Sequence, residues 1–212
     1  GVSALLLHDA AVRSGSWISS APPIGSIHGE TVGIVGLGRI GSAFAARAAV
    51  FEMEVIAYDP YLPANAFAAA GVELVTFDEL LRRSDYISLH TPKTRETIHM
   101  IDKAALRVMK PTAHLINTSR GPVVDQAALT RALSDGWIAG AGIDVFEIEP
   151  PGEHERLLKM DNVIVTPHCA YYSDSAVSQL PKRCGEEVAR VLSGRMPKNL
   201  FNPEVLDKLP LR

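Results

Sequence analysis

At 212 residues, with 47% hydrophobic and 21% charged side chains, the chain has the composition of a soluble globular domain long enough to bury a full core. Its net charge of -3 argues against nucleic acid as a ligand, and the clusters Arg82-Arg83 and Lys182-Arg183 are each followed by acids, as solvated helix faces are. No apolar run reaches the ~18 residues of a membrane helix, no signal-peptide pattern opens the chain, and neither Cys-x-x-Cys nor His-Glu-x-x-His spacing occurs, so the expectation is a cytoplasmic protein without membrane contact, disulfide framework or metal site.

Residues 4–12 read as an apolar helix fragment, followed by a loop rich in Ser, Gly and Pro over 14–29. Val32-Gly33-Ile34-Val35 is a short strand that opens onto Gly36-Leu37-Gly38-Arg39-Ile40-Gly41, and a helix is expected over 39–51. Each glycine has a separate task. Gly36 permits the tight turn, Gly38 lets bare backbone approach a pyrophosphate, and Gly41 lets the helix pack close against the sheet. The phosphates then meet the free N–H groups and positive dipole end of that helix. A second strand, 55–58, ends at Asp59, which lies 18 residues beyond Gly41. This is close to the spacing of about 20 expected for a carboxylate that holds the adenosine ribose. Such a carboxylate repels a 2′-phosphate by roughly 1 to 4 kcal/mol at ~4 Å, which favours NAD over NADP. The predicted binding set is Gly36, Gly38, Arg39, Ile40, Gly41 and Asp59.

Further along, strands are expected over 72–77, 85–90, 113–117, 138–143 and 163–166, with helices starting at Phe77 and spanning 125–134. Alternating strands and helices predict an α/β fold, a doubly wound parallel sheet. Polar residues recur at the strand ends: Asp59, His90 with Thr91, Asn117 with Thr118, Asp144, and Thr166 with His168. Ligands bind at that edge of such a sheet. A long helix over 174–193, carrying Pro181, and a proline-containing tail from 195 close the chain.

Three strand-end segments carry side chains suited to chemistry on a small acid. Arg120 can fork onto a carboxylate, His168 can exchange a proton near neutral pH, and Glu149 can bind the imidazole and fix its tautomer. Singly, each also reads as a loop arginine, a turn acid or a strand-end histidine. Together beside a cofactor turn they form a candidate catalytic set, spaced by 29 and 19 residues.

With the segments GLGRIG, SLHTP, INTSRGPVVD, GIDVFEIEP and TPHCAYYS, the chain resembles the D-isomer-specific 2-hydroxyacid dehydrogenases from about residue 4 to 202. Within that family, 58–62 and 171–174 are most similar to the branch of phosphoglycerate-dehydrogenase-like enzymes and C-terminal-binding-protein corepressors, although Tyr171 stands where the corepressors carry Trp. The resemblance implies a Rossmann domain over 14–172, with 1–13 and 173–212 as helical remnants of a second, truncated substrate domain. It implies that the chain is a fragment whose preceding substrate-domain segment is missing. It further implies NAD as cofactor, additional contacts from Thr91, Pro92, Thr97, Thr118 and Asp144, catalytic roles for Arg120, Glu149 and His168, a homodimer, and hydride transfer to or from C2 of a 2-keto or D-2-hydroxy acid. Two alternatives remain: an NAD(H)-sensing corepressor-like binding protein with the same three residues, and a formate dehydrogenase, against which Glu149 argues because that family places Gln there.

Overall fold

The computed structural model describes residues 2–17, 25–200 and 202–208, and it divides into two units, Gly1–His168 and Cys169–Arg212. The first contains strands β1 (Thr31–Val35), β2 (Glu54–Tyr58), β3 (Glu73–Leu74), β4 (Tyr86–Leu89), β5 (His114–Asn117), β6 (Gly140–Ile143) and β7 (Val163–Val165). They pair in parallel as one sheet in the order β3-β2-β1-β4-β5-β6-β7, so the winding reverses between β1 and β4.

Alternation along the strands fills both faces. Ile34 and Ala57, opposite each other on β1 and β2, pack with Ala45 of α2 (Arg39–Val50) and Phe67 of α3 (Ala64–Ala69). Their neighbours Val35 and Ile56 belong to a larger cluster with Leu80 of α4 (Phe77–Arg83), Leu106 of α5 (Lys103–Val108) and Leu129 of α6 (Gln126–Ser134). Successive strand residues face opposite sides. The sheet is therefore covered by helices on both faces, as a doubly wound α/β fold requires. Leu80, Ile87, Leu89, Leu106 and Leu115 are fully inaccessible, and burial stabilises each by roughly 1.5–3 kcal/mol. The helix α1 (Val2–Arg13) precedes the sheet.

Several expected elements shift. The strand expected over 72–77 shrinks to β3, because Thr76 leaves the strand to cap α4 in a reciprocal box with Glu79, and Phe77 becomes the first helical residue. Two six-residue helices, α3 and α5, have no counterpart in the sequence reading. Both are shorter than two turns, too short for an apolar period to register. The 14–29 loop falls partly outside the described residues, at 18–24.

The second unit consists of α7 (Asp174–Leu192), capped by the Ser173 hydroxyl, and a 3-10 turn at Pro203–Lys208. Pro181 lies inside α7. The chain after the helix folds back on its last turns, where Glu187 accepts the Lys198 N–H at 2.9 Å and Arg190 donates to the Met196 carbonyl at 2.8 Å. Among the described residues no helix is long and apolar enough to cross a membrane.

At the amino-terminal edge of the sheet, Asp85 ties three segments together. Its carboxylate accepts the Thr31 N–H at 3.0 Å and the Lys110 ammonium at 2.8 Å. Burial raises the Asp85 pKa, but these bonds outweigh it and hold the carboxyl below its ordinary 3.8. Asp85→Ala is expected to destabilise the protein by about 1–3 kcal/mol in urea denaturation at neutral pH, since both donors lose their acceptor. A depressed carboxylate contributes fully above 3.8 and loses its contribution as pH falls through the lower folded value, so the gap between wild type and variant should close in acid.

Candidate active site

The turn after β1 occupies the reversal point of the sheet. Gly36 has φ +94°, and a Cβ there would stand 3.0 Å from the His90 carbonyl at the end of β4. A Cβ on Gly41 would stand 2.1 Å from the Gly36 carbonyl oxygen, so the close approach Gly41 permits is chiefly between α2 and the turn itself, with Ile34 next at 3.3 Å. At Gly38 an added Cβ would meet no protein atom within 4 Å. Gly38 also caps α2 without offering a side-chain acceptor, and Arg39 and Ile40 lie exposed in the first turn.

Asp59 is fixed over this turn. One of its oxygens accepts the Leu37 N–H at 3.0 Å and the other the Tyr61 N–H at 3.0 Å. Each carboxylate oxygen has two acceptor sites, so capacity for two hydroxyl donors remains. Asp59 lines a cleft of about 210 Å³ together with Gly36, Gly38, Thr91, Pro92 and Thr97. The Thr91 hydroxyl is buried without a hydrogen-bond partner among the described residues. Thr97 behaves differently: its hydroxyl donates to the Pro92 carbonyl at 2.7 Å and accepts the Thr94 N–H at 2.7 Å, so it shapes the loop that presents Thr91. An orphaned hydroxyl, open space over Gly38 and a carboxylate with spare acceptors fit a dinucleotide.

The ends of β5, β6 and β7 carry the other constellation, on the same edge. The imidazole of His168 lies with Nδ1 2.7 Å from Glu149 Oε2, and Glu149 Oε1 accepts the Phe146 N–H at 3.0 Å. The His168 contact is the main cause holding the Glu149 carboxyl below its ordinary 4.5, partial burial opposing it and the Phe146 N–H adding to it. An ionised carboxylate only accepts, so Nδ1 carries the proton in this contact. Asp144 is buried, with Oδ1 accepting the Thr166 hydroxyl at 2.5 Å, and its carbonyl takes the His168 N–H at 2.8 Å. His168 is held at φ +51°, in the left-handed region.

Arg120, three residues past β5, is exposed and donates to the Ser119 carbonyl at 2.6 Å, and among the described residues it forms no ion pair. Asn117 sets its turn by donating to the Arg120 carbonyl at 3.0 Å, and Thr118 beside it is exposed. The structure thus joins Glu149 and His168 directly and brings Arg120 to the neighbouring strand end. Glu149, His168, Asp144, Phe146, Leu158 and Thr166 line a cleft of about 520 Å³, within the range of small-molecule sites. Among the described residues no group of three or more His, Cys, Asp or Glu is placed to hold a metal ion. Sequence reasoning missed the Phe146 N–H and a second His–carboxylate contact, His99 Nε2 to Glu147 Oε1 at 2.9 Å, which joins residues 48 apart. No local spacing announces such a pair.

Comparison with known proteins gives one family. The model described as "D-isomer specific 2-hydroxyacid dehydrogenase, NAD binding domain" matches residues 3–170. The chain is 46% identical over 206 residues to a glyoxylate reductase of Korarchaeum cryptofilum, covering 95% of the chain and 62% of that protein. It is 42% identical over 194 residues to a D-3-phosphoglycerate dehydrogenase of Mycobacterium leprae, covering 92% and 37%. The crystal structure of a D-lactate dehydrogenase from Aquifex aeolicus, complexed with NAD and lactic acid, superposes with a TM-score of 0.83 at 34% identity, covering 91% of the chain and 62% of that structure. The chain spans about three fifths of the length of the glyoxylate reductase it matches.

Two glycine variants separate the cleft from the fold. Gly38→Ala should melt like wild type, its Cβ meeting open space, yet bind NADH at least about tenfold more weakly in a fluorescence titration, equivalent to ~1.4 kcal/mol. Gly41→Ala should lose stability as well, by about 1–3 kcal/mol in thermal or urea denaturation, because its Cβ collides with backbone.

Proposed function

Because the chain belongs to the D-isomer-specific 2-hydroxyacid dehydrogenase family through its NAD-binding domain, we propose that it is the cofactor-binding part of an NAD-dependent oxidoreductase that interconverts a D-2-hydroxy acid and the corresponding 2-keto acid. The observation that carries the reading is the 2.7 Å contact of His168 with Glu149 on the same sheet edge as the glycine turn. Residues 14–172 are assigned to the cofactor domain, and 1–13 with 173–212 to the substrate domain. A homodimer and a cytoplasmic setting belong to the same proposal.

Gly36, Gly38, Arg39, Ile40 and Gly41 would receive the pyrophosphate, Asp59 the adenosine ribose, and Thr91, Pro92, Thr97, Thr118 and Asp144 the rest of the dinucleotide, Asp144 on its carboxamide side. When bound, NAD supplies the hydride acceptor or, reduced, the hydride donor. The protein supplies position and a proton. Arg120 holds the substrate carboxylate and polarises the adjacent carbonyl oxygen through its planar fork. His168 gives its Nε2 proton to that oxygen during reduction and removes it from the hydroxyl during oxidation. Glu149 keeps the proton on Nδ1, orients the ring and stabilises the imidazolium. Glyoxylate and larger 2-keto acids are the substrates to try first, since glyoxylate is what the archaeal relative is named for.

The test is NADH oxidation across a panel of 2-keto acids. Wild type should turn over at least one of them, and Arg120→Lys should lose about a hundredfold or more in kcat/KM because an ammonium cannot reproduce the bidentate fork. Wild-type rates in that variant would remove Arg120 from its role, and NADH-dependent association without turnover would favour the cofactor-sensing alternative. The dyad adds a pH signature. Glu149 stays ionised above its ordinary 4.5 and its contact with His168 is lost as pH falls through the lowered value, so Glu149→Gln should remove that acid limb from the pH profile of kcat/KM.

A further inference from the structure

The segments that carry Arg120 and Glu149 touch backbone to backbone. A Cβ on Gly121 would stand 1.9 Å from the Phe146 carbonyl oxygen and 2.5 Å from Glu147 N, so only glycine lets the turn after Arg120 lie against the loop before Glu149. Contact this close limits separation but does not by itself stop one segment sliding over the other. Directional polar bonds do that. Glu147 N–H donates to Gln126 Oε1 at 3.0 Å, and Glu147 Oε1 accepts the Gln126 N–H at 3.0 Å. The same Oε1 lies 2.9 Å from His99 Nε2, while the His99 N–H donates at 2.8 Å to the carbonyl of Pro122, in the turn that follows Arg120. His99 therefore grips the Arg120 turn through its main chain and the Glu149 loop through its ring. It does so at φ +52°, a backbone that a residue other than glycine adopts when its surroundings impose it.

We propose that His99 and Glu147 are positioning residues whose contact sets the register between the Arg120 guanidinium and the Glu149–His168 pair. The route is short: Glu147 follows Phe146, whose N–H holds Glu149 Oε1 at 3.0 Å, so a shift of Glu147 carries the dyad with it. Neither His99 nor Glu147 lines the clefts described above. Their effect on rate rests on the dehydrogenase reading, whereas their effect on the geometry of the dyad does not.

The experiment compares His99→Asn, Glu147→Ala and the double variant with wild type. Asn tolerates the left-handed backbone and keeps the Pro122 bond, so His99→Asn deletes the ring contact while sparing the fold. A control is His28→Ala, which removes a similar exposed pair, His28 Nε2 to Glu52 Oε2 at 2.9 Å, at the opposite edge of the sheet. Each single variant should lose about tenfold in kcat, as small displacements of reacting groups do, with the NADH dissociation constant unchanged. The double variant should be no slower than the slower single, because one shared contact is lost once. The low-field proton resonance of His168 Nδ1–H, read without substrate, should shift or broaden in the singles and stay in place in His28→Ala. If wild type reduces no 2-keto acid, a displaced resonance still upholds the clamp, and the dehydrogenase reading is what failed. An unmoved resonance in His99→Asn, or additive losses in the double variant, overturns the proposal.

Discussion

Seven strands run in one direction, and everything functional in the molecule follows from that constraint. Each helical crossing returns the chain to the amino-terminal edge, so every strand delivers its carboxyl end to the opposite one. Gly36, Asp59, Thr91, Asn117, Asp144 and Thr166, far apart in sequence, thereby become neighbours along a single edge. The reversal between β1 and β4 then separates two loops that leave toward opposite faces, and a crevice opens between them. Two backbone contacts that tolerate no Cβ tighten this edge: Gly41 lies against Gly36 within the turn after β1, and Gly121 lies against Phe146 between the segments that follow β5 and β6.

Three carboxylates on this edge are separated in task by what they already accept. Asp59 accepts one backbone N–H on each of its oxygens and keeps acceptor capacity on both. Asp144 is buried and binds the Thr166 hydroxyl, which fastens the exit of β7 to the exit of β6. Glu149 accepts one backbone N–H and pairs with the His168 imidazole. The pair is partly open, with His168 and Glu149 side chains 45% and 37% exposed. Water screens so exposed a contact, and its electrostatic strength grows only when a substrate or a covering segment excludes solvent. The dyad is thus set up to matter most when something is bound.

The sheet and most of the candidate site were legible in the sequence because both are written in local signals. Apolar strands ending in a polar residue, the glycine turn and the Asp59 spacing need only a short window to read, and β1, β2, α2 and α6 lie within a residue or two of their expected bounds. The short helices α3 and α5 escaped because propensity over six residues carries little periodicity, even though Asp102 caps α5 in the ordinary way. β3 was overcalled for the opposite reason: the apolar residues around it fit a strand, while Thr76 and Glu79 fit a capping box, and the box prevailed. The His99–Glu147–Gln126 cluster was illegible in principle. Its members interact across 48 and 21 residues, and only the parallel crossings bring them together.

Backbone strain shows which of these residues the fold is built to hold. A left-handed conformation at a residue other than glycine costs of order 1–3 kcal/mol, and it persists only where neighbours over-determine it. His168 meets that condition, since its N–H is held by the Asp144 carbonyl at 2.8 Å and its ring by Glu149 at 2.7 Å, while Asp144 is itself tied to Thr166. The left-handed backbone and these bonds together place the ring against its carboxylate, and the bond that holds the N–H comes from the end of β6, the strand whose following loop supplies Glu149.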